Sequence, residues 1–365
     1  MDTSLNDSLG IFRDRLLQFL WREWSVLGVA GASGDEGNDR RLIDPEFLLA
    51  ISLSLARWDA RVFDEILDWL LINGKWINVS RLAAIVRSDG IGDFHLVQAV
   101  ASTVAGHDRR PKWNRLTHSQ PEGVSEPEPL FFGAGKKYRE TTPLDKSFLK
   151  HGFKRSAFKA RGMSRPVPMN DPRCLMFRIR ALFGVNIRAD LLAHLIVSGE
   201  DYPTQTGRTL GFSQKQVQDT LVEMAESGVV YVRKVGRRKM YSVDREKWWG
   251  FLYGNYSAGA EPLDWRALVR ALTTLLTGLE RAVSKSNRRY VASSIAREAM
   301  EHARPDLIAS RLGAPVTEGA LYRGGAYLQV FVRDLMGIAA RLNEGDAHEV
   351  GFGISGSVPQ GHGPV

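Results

Sequence analysis

The sequence predicts a mainly α-helical protein: an N-terminal helical bundle, a central unit of three helices closed by a β-hairpin, and a C-terminal helical region. Two observations predict it. Apolar residues fall at helical spacing in successive short-linked segments, the pattern of a bundle. Between Asn186 and Asp244, three helical segments precede two alternating strands joined at a glycine turn. The expected divisions are a helical bundle over 1–106, a basic linker or arm over 107–170 and the central unit over 171–250. Further helices are expected over 251–350, and a disordered Gly/Ser/Pro-rich tail over 351–365.

Leu9, Phe12, Leu16, Leu20 and Trp24 trace one face of a first helix. Residues 28–39 form a glycine-rich loop with Gly28, Gly31 and Gly34 three apart. It lacks the Lys-Ser/Thr and the strand–turn–helix setting of a phosphate loop. Asp44-Pro45-Glu46 supplies the cap, proline and acidic first turn of a second helix. Phe63, Ile66, Leu67, Leu70 and Leu71 make a third, stopped by Asn73-Gly74. Residues 79–86 and 94–104 make a fourth and fifth; 80–86 has no basic face or wing and reads as scaffold. Residues 107–128 read as a polar linker. From Lys136-Lys137-Tyr138-Arg139 to Arg165, through Lys154-Arg155, bases alternate with Tyr138, Phe148, Phe153 and Phe158. The expectation is that the aromatics anchor an arm while the bases stay in water; the alternative is a nucleic-acid path.

A lead-in helix over 177–183 precedes the central unit. Its first helix, 187–198, stops at Gly199, and a short second, 204–210, stops at Gly211. Ser213 and Gln216 then form a capping box of the S-x-x-Q kind. Val217, Leu221 and Met224 make a buried stripe, with Lys215, Gln218, Asp219 and Val222 opposite it. Gly228 ends that helix. A strand comes next, then the turn Gly236-Arg237-Arg238-Lys239, then a return strand through Val243. This is the order of a winged helix-turn-helix, and its exposed residue types suit duplex DNA. Lys215 and Gln218 are the candidate base readers, with Ser213, Gln214 and Thr220 flanking them, because Gln pairs with adenine and Lys reaches guanine or phosphate. Arg237, Arg238 and Lys239 are the candidate wing contacts. Thr204, Thr206 and Arg208 are placed to fix register on the backbone. Asp219 either accepts from a cytosine amino group or orients Lys215.

The pattern Ser213-Gln214…Val217…Leu221, the exit Glu226-Ser227-Gly228-Val229-Val230 and the hairpin through Tyr241 resemble winged-helix regulators of the MarR and ArsR type. The resemblance spans roughly a sixth of the chain. Those families are shorter, and their dimerisation helices and metal-sensing cysteines have no counterpart here. Residues 177–241 also look like large bacterial winged-helix proteins associated with nucleotidyltransferase-type partners, including abortive-infection antitoxins. Together these resemblances and patterns predict a sequence-specific, dimeric DNA-binding transcriptional regulator. The second resemblance implies instead an antitoxin or adaptor that holds a protein partner and represses its own operon.

Charge distribution points the same way. The net charge of +8 divides into −5 over 1–106, +8 over 107–170, +4 over 171–250 and +1 over 251–365. Positive charge concentrated mid-chain is the footprint of a phosphate partner. The single Cys174 excludes an internal disulfide and a cysteine-based zinc site. The eight histidines show no metal-ligand spacing, and no nucleophile elbow, Walker loop or dinucleotide fingerprint occurs, so no catalytic residue, metal or cofactor is expected. His194, among leucines, is expected to be structural. The polar, acidic start is not a signal peptide and no run of eighteen apolar residues occurs, so a cytoplasmic protein without membrane spans is expected. Trp248, Trp249, Phe251, Tyr253 and Tyr256 form an aromatic cluster expected to seat the central unit on the C-terminal helices. Those helices are expected over 263–279, 290–300 and 326–339. Leu268, Leu272, Leu275, Leu276 and Leu279 either form a dimer contact or pack within the chain.

Overall fold

The computed structural model describes residues 4–30, 39–107, 112–117, 126–132, 143–254, 259–314, 316–319, 322 and 324–343. Gly31, Gly34, the basic cluster at 136–139, Tyr256 and the tail over 351–365 lie outside the described residues.

The N-terminal helices form where their caps and stripes dictate. Helix α1 (Leu5–Val26) starts on a Ser4–Asp7 capping box and buries the expected face. Asp44 accepts the Glu46 and Phe47 N–H groups to start α2 (Pro45–Leu55). Helix α3 (Ala60–Asn73) is capped by Asp59, α4 (Val79–Asp89) by Asn78 and α5 (Phe94–Ala105) by Asp93. A short α6 (Asn114–Thr117) comes after them.

The arm is more than a linker. Strand β1 (Glu128–Pro129) pairs in parallel with β2 (Phe153–Lys154), and α7 (Lys146–Lys150) lies between them in sequence. Phe148 and Phe153 are buried as anchors. The expectation that the arm's bases stay in water fails at Arg155, which is 2% exposed. The rings of Phe63, Phe131, Phe148 and Phe158 surround its guanidinium at 5.1–5.8 Å, and Asp64 pairs with it at 2.8 Å. A flat, weakly hydrated cation tolerates such faces where an ammonium does not. Farther on, the Asp68 carboxylate accepts the N–H groups of Arg161, Gly162, Met163 and Ser164 at 2.7–3.2 Å, tying the arm to α3.

Helix α8 (Leu175–Phe183) leads into α9 (Ile187–Ser198), α10 (Pro203–Leu210) and α11 (Gln214–Glu226). Strands β3 (Tyr231–Val235) and β4 (Arg238–Ser242) form an antiparallel hairpin. Between α9 and α10, Asp201 pairs as a one-residue bridge with Tyr241, at 2.8 and 3.0 Å. Helix α12 (Arg245–Tyr253) packs on α9, so Trp249 and Tyr253 belong to the core of the central unit instead of bridging it to later helices.

Helices α13 (Trp265–Val283), α14 (Arg289–Ser310) and α15 (Tyr327–Leu342) complete the order. They do not stand apart: their apolar faces share one core with α1 to α5 and the arm, while α8 to α12 hold a second core. Leu268, Leu272, Leu275 and Leu279 are at most 1% exposed, covered by α14, α1 and α2. Those four leucines are therefore closed within the chain, while Leu276, the fifth of the stripe, stays half-buried. Among the described residues, no helix is long and apolar enough to cross a membrane, and no group of three or more His, Cys, Asp or Glu is placed to hold a metal ion.

A buried ion cluster joins the two cores. The Glu46 carboxylate, 0% exposed, accepts Arg180 twice at 2.8 Å and Arg81 at 2.5 Å. Arg180 also reaches Asp190 at 2.8 Å, and Arg81 reaches Asp44 and the Leu210 carbonyl. Burial raises the Glu46 pKa, but Arg180 and Arg81 outweigh it and hold the carboxyl below its usual range.

Candidate nucleic-acid interface

Helical periodicity sorts the candidates on α10. Pro203, Thr206, Gly207 and Leu210 share the buried face, and Thr206 is 0% exposed. Thr206 is thus withdrawn from the expected backbone contacts, while Thr204 and Arg208, four residues apart, stay exposed on the other side. The same rule corrects Thr220 on α11. It lies with Val217, Leu221 and Met224 on the packed face, and its hydroxyl donates to the Gln216 carbonyl at 2.7 Å.

The N-terminal end of α11 is open. Ser213 caps it as expected: Oγ accepts the Gln216 N–H at 3.3 Å, and the Gln216 side chain accepts the Ser213 N–H. Gln214, Lys215 and Asp219 are exposed. Gln218 is half-buried and donates through Nε2 to the Tyr241 hydroxyl at 3.0 Å. That contact removes one of its donors from base reading, and it fixes the position of α11 against β4.

The hairpin turn is tighter than its composition suggests. Gly236 and Arg237 form the tip, with φ +60° at Gly236, the first-position glycine that a tight hairpin turn requires. Arg238 and Lys239 lie in β4, on opposite faces. The Arg238 guanidinium sits 4.7 Å from the Tyr202 ring centroid. Lys239 shares the Tyr241 face, the one that docks on α11. Directly across from Lys239 stands Lys234, a cation outside the expected set of wing contacts. Its signal lies in the sequence all the same: period-two alternation puts Lys234 on the same face as Val232, the cross-strand partner of Tyr241.

Charge pairing then separates the cations. Arg233 is paired with Glu200 at 2.5 Å, Arg188 with Glu223, and Lys247 with Asp244. The Arg233 contact holds the Glu200 carboxyl below its ordinary range. Lys215, Lys234, Arg237, Arg238 and Lys239 are exposed and make no ion pair among the described residues, whereas the charge of exposed Arg208 acts on the Asp264 carboxylate. The His194 Nε2 lies 2.9 Å from Asp201 Oδ2, beside the bridge to Tyr241.

No protein-family model, curated protein or solved structure matches the chain. Unneutralised cations on the start of α11 and along the hairpin suit a polyanion whose charges repeat along a line.

Proposed function

We propose that residues 187–243 form a winged helix that binds double-stranded DNA, and that the chain is a sequence-specific transcriptional regulator. One observation carries the reading: Lys234 and Lys239 face each other across the hairpin, on the face docked to α11. Like charges directly opposite in a ladder destabilise it, and a phosphate between them relieves the repulsion. The order of helix, single bridge, helix, capped helix and hairpin supports it, as does the open N-terminal stripe of Gln214 and Lys215.

Anisotropy titrations with a labelled random-sequence duplex test it across a salt series. Replacing Lys234, Arg237 and Lys239 with Ala weakens binding and flattens its salt dependence, each lost phosphate contact lowering the slope by about 0.9. Absence of salt-sensitive binding to any duplex, including duplexes selected from a random pool, ends the proposal.

A second reading, a protein-binding antitoxin or adaptor, is favoured by a different surface. Leu182, Phe183 and Phe251 are 52%, 48% and 70% exposed, and Trp248 lies between the two phenylalanines at 6.3 and 5.9 Å. An uncovered aromatic patch on the side of the unit formed by α8 and α12 suits a protein partner.

A further inference from the structure

Between the N-terminal helices and α13 lies a cleft of about 570 Å³, mostly apolar in its walls. Its floor is made by Leu16, Ile51, Leu55, Leu96 and Leu272, and Leu276 of α13 stands half-buried at its side. Trp58 and Phe132 form one wall, their ring centroids 4.6 Å apart, and they remain 38% and 41% exposed. The Phe132 N–H donates to the Arg57 carbonyl at 2.8 Å, and the Arg57 guanidinium lies 4.2 Å from the Phe132 ring, so this wall is built in place. The volume falls within the ~300–1,000 Å³ of small-molecule sites.

The charges around the cleft decide what it takes. Arg13 pairs with Glu280 at 2.6 Å and stacks on Trp58 at 3.6 Å. Arg57 pairs with Glu128 at 2.7 Å. The Asp93 carboxylate is engaged in capping α5, accepting the His95 N–H at 2.8 Å. Both guanidinium groups already have carboxylate partners, so an anionic ligand would lose hydration without meeting a free cation, while the Asp93 carboxylate meets only a neutral N–H. Ser54 and Thr277 supply hydroxyls at the lining, enough to orient one polar group.

We propose that this cleft is a binding site for a flat aromatic small molecule that carries no negative charge, seated on the leucine floor against Trp58 and Phe132. The elements that build the site also touch the central unit. Helix α13, which contributes Leu272 and Leu276, holds α10 at its first turn: Asp264 accepts the Thr209 hydroxyl at 3.1 Å and Arg266 donates to the Arg208 carbonyl at 2.9 Å. The segment Gly90 to Asp93 on the cleft's far side comes directly after Asp89, which pairs with the same Arg266 at 2.5 Å. A role for this link in regulation rests on the DNA-binding reading; occupation of the cleft does not.

Calorimetric titration of the full chain with 2-naphthol, uncharged at pH 7, and with 2-naphthoate, the same ring system carrying a carboxylate, tests the assignment. The expected result is one saturable site for 2-naphthol, at least tenfold weaker binding of 2-naphthoate, and at least tenfold weaker 2-naphthol binding by Leu276→Trp, which fills the cleft. Trp58→Ala, at the surface and outside the core, weakens it at least threefold and carries the test if the tryptophan variant does not fold. No saturable binding of 2-naphthol, equal binding of both compounds, or affinity unchanged in the variants overturns the proposal. Because DNA is absent from this experiment, its outcome is independent of the duplex titration.

Discussion

His151, just after α7, is 1% exposed. Its Nε2 lies 3.2 Å from the Ser102 hydroxyl and its Nδ1 has no partner among the described residues. Burial, with repulsion from Lys150 and His95, pushes its pKa down to about 4. In the unfolded chain the same ring titrates near ~6.5. Between those values the unfolded state binds more protons than the folded one, so stability rises with pH across that window. The contribution is complete above pH ~6.5 and is lost as pH falls toward 4. His151→Gln is expected to flatten that dependence, because a side chain that does not titrate has nothing to lose. Urea midpoints of both proteins at pH 7.5 and pH 5 check it; equal acid losses in the two would show that His151 is not responsible. Nothing in the sequence marks this histidine among the eight, because its burial arises when the arm folds over α5, a contact between distant segments.

Elements with local determinants were legible in the sequence, and those fixed by their neighbours were not. Helices α9 and α11 are set by Asn186, Ser213 and their flanking glycines, and they form where those residues predict. Helix α14 runs on to Ser310, through Pro305, well past the expected end. Past Met300 its only large buried apolar residue is Leu307, and Pro305 reads as a stop; the rest of the apolar stripe is the small Ala292, Ala296, Ala299 and Ala303. They matter because α13 comes close: a Cβ at Gly278 would overlap the Ala299 Cβ. The buried leucines of α13, more numerous than a short bundle needs, are covered by this close approach. Gly278→Ala should therefore cost about 1–3 kcal/mol through overpacking, although alanine has the higher helix propensity. Gly10→Ala in α1, where nothing lies within 4 Å of the added carbon, should gain about 0.5–1 kcal/mol. Denaturant titration of the two variants reads opposite signs; a Gly278→Ala protein at least as stable as the parent would show that the helices separate at no cost. In the candidate interface, the capped helix and its exposed lysine were legible for the same local reason. Thr206, Thr220 and the true tip of the hairpin depended on helical phase and strand register, which composition leaves open by a residue or two.

At the scale of the whole molecule, the two cores meet across charge. Each Arg–carboxylate contact of the Glu46 cluster is 2.5–2.9 Å long, and the four side chains of Glu46, Arg81, Arg180 and Asp190 are 0% exposed. Arg81 also caps the Leu210 carbonyl at the end of α10, so the orientation of the candidate interface on the helical body passes through this cluster. Sequence periodicity reads Arg81 and Arg180 as polar positions on amphipathic helices and cannot pair residues 134 positions apart. The two kinds of ion pair in the chain differ in what they contribute. Arg188 and Glu223 are 58% and 56% exposed, and water screens such a pair to about 0–1 kcal/mol. Removing the charge of Glu46 instead leaves two guanidinium groups, out of reach of water, with only Asp44 and Asp190 to balance them, a loss of roughly 3–5 kcal/mol. Glu46→Gln, nearly the same shape, is therefore expected to lower the urea midpoint strongly, while Glu223→Gln leaves it within about 1 kcal/mol of the parent. Hydrogen exchange at the amides of α9 and α11 adds the spatial readout: in Glu46→Gln the central unit should open before the larger core. A Glu46→Gln protein as stable as Glu223→Gln would mean that apolar packing alone holds the two cores in register.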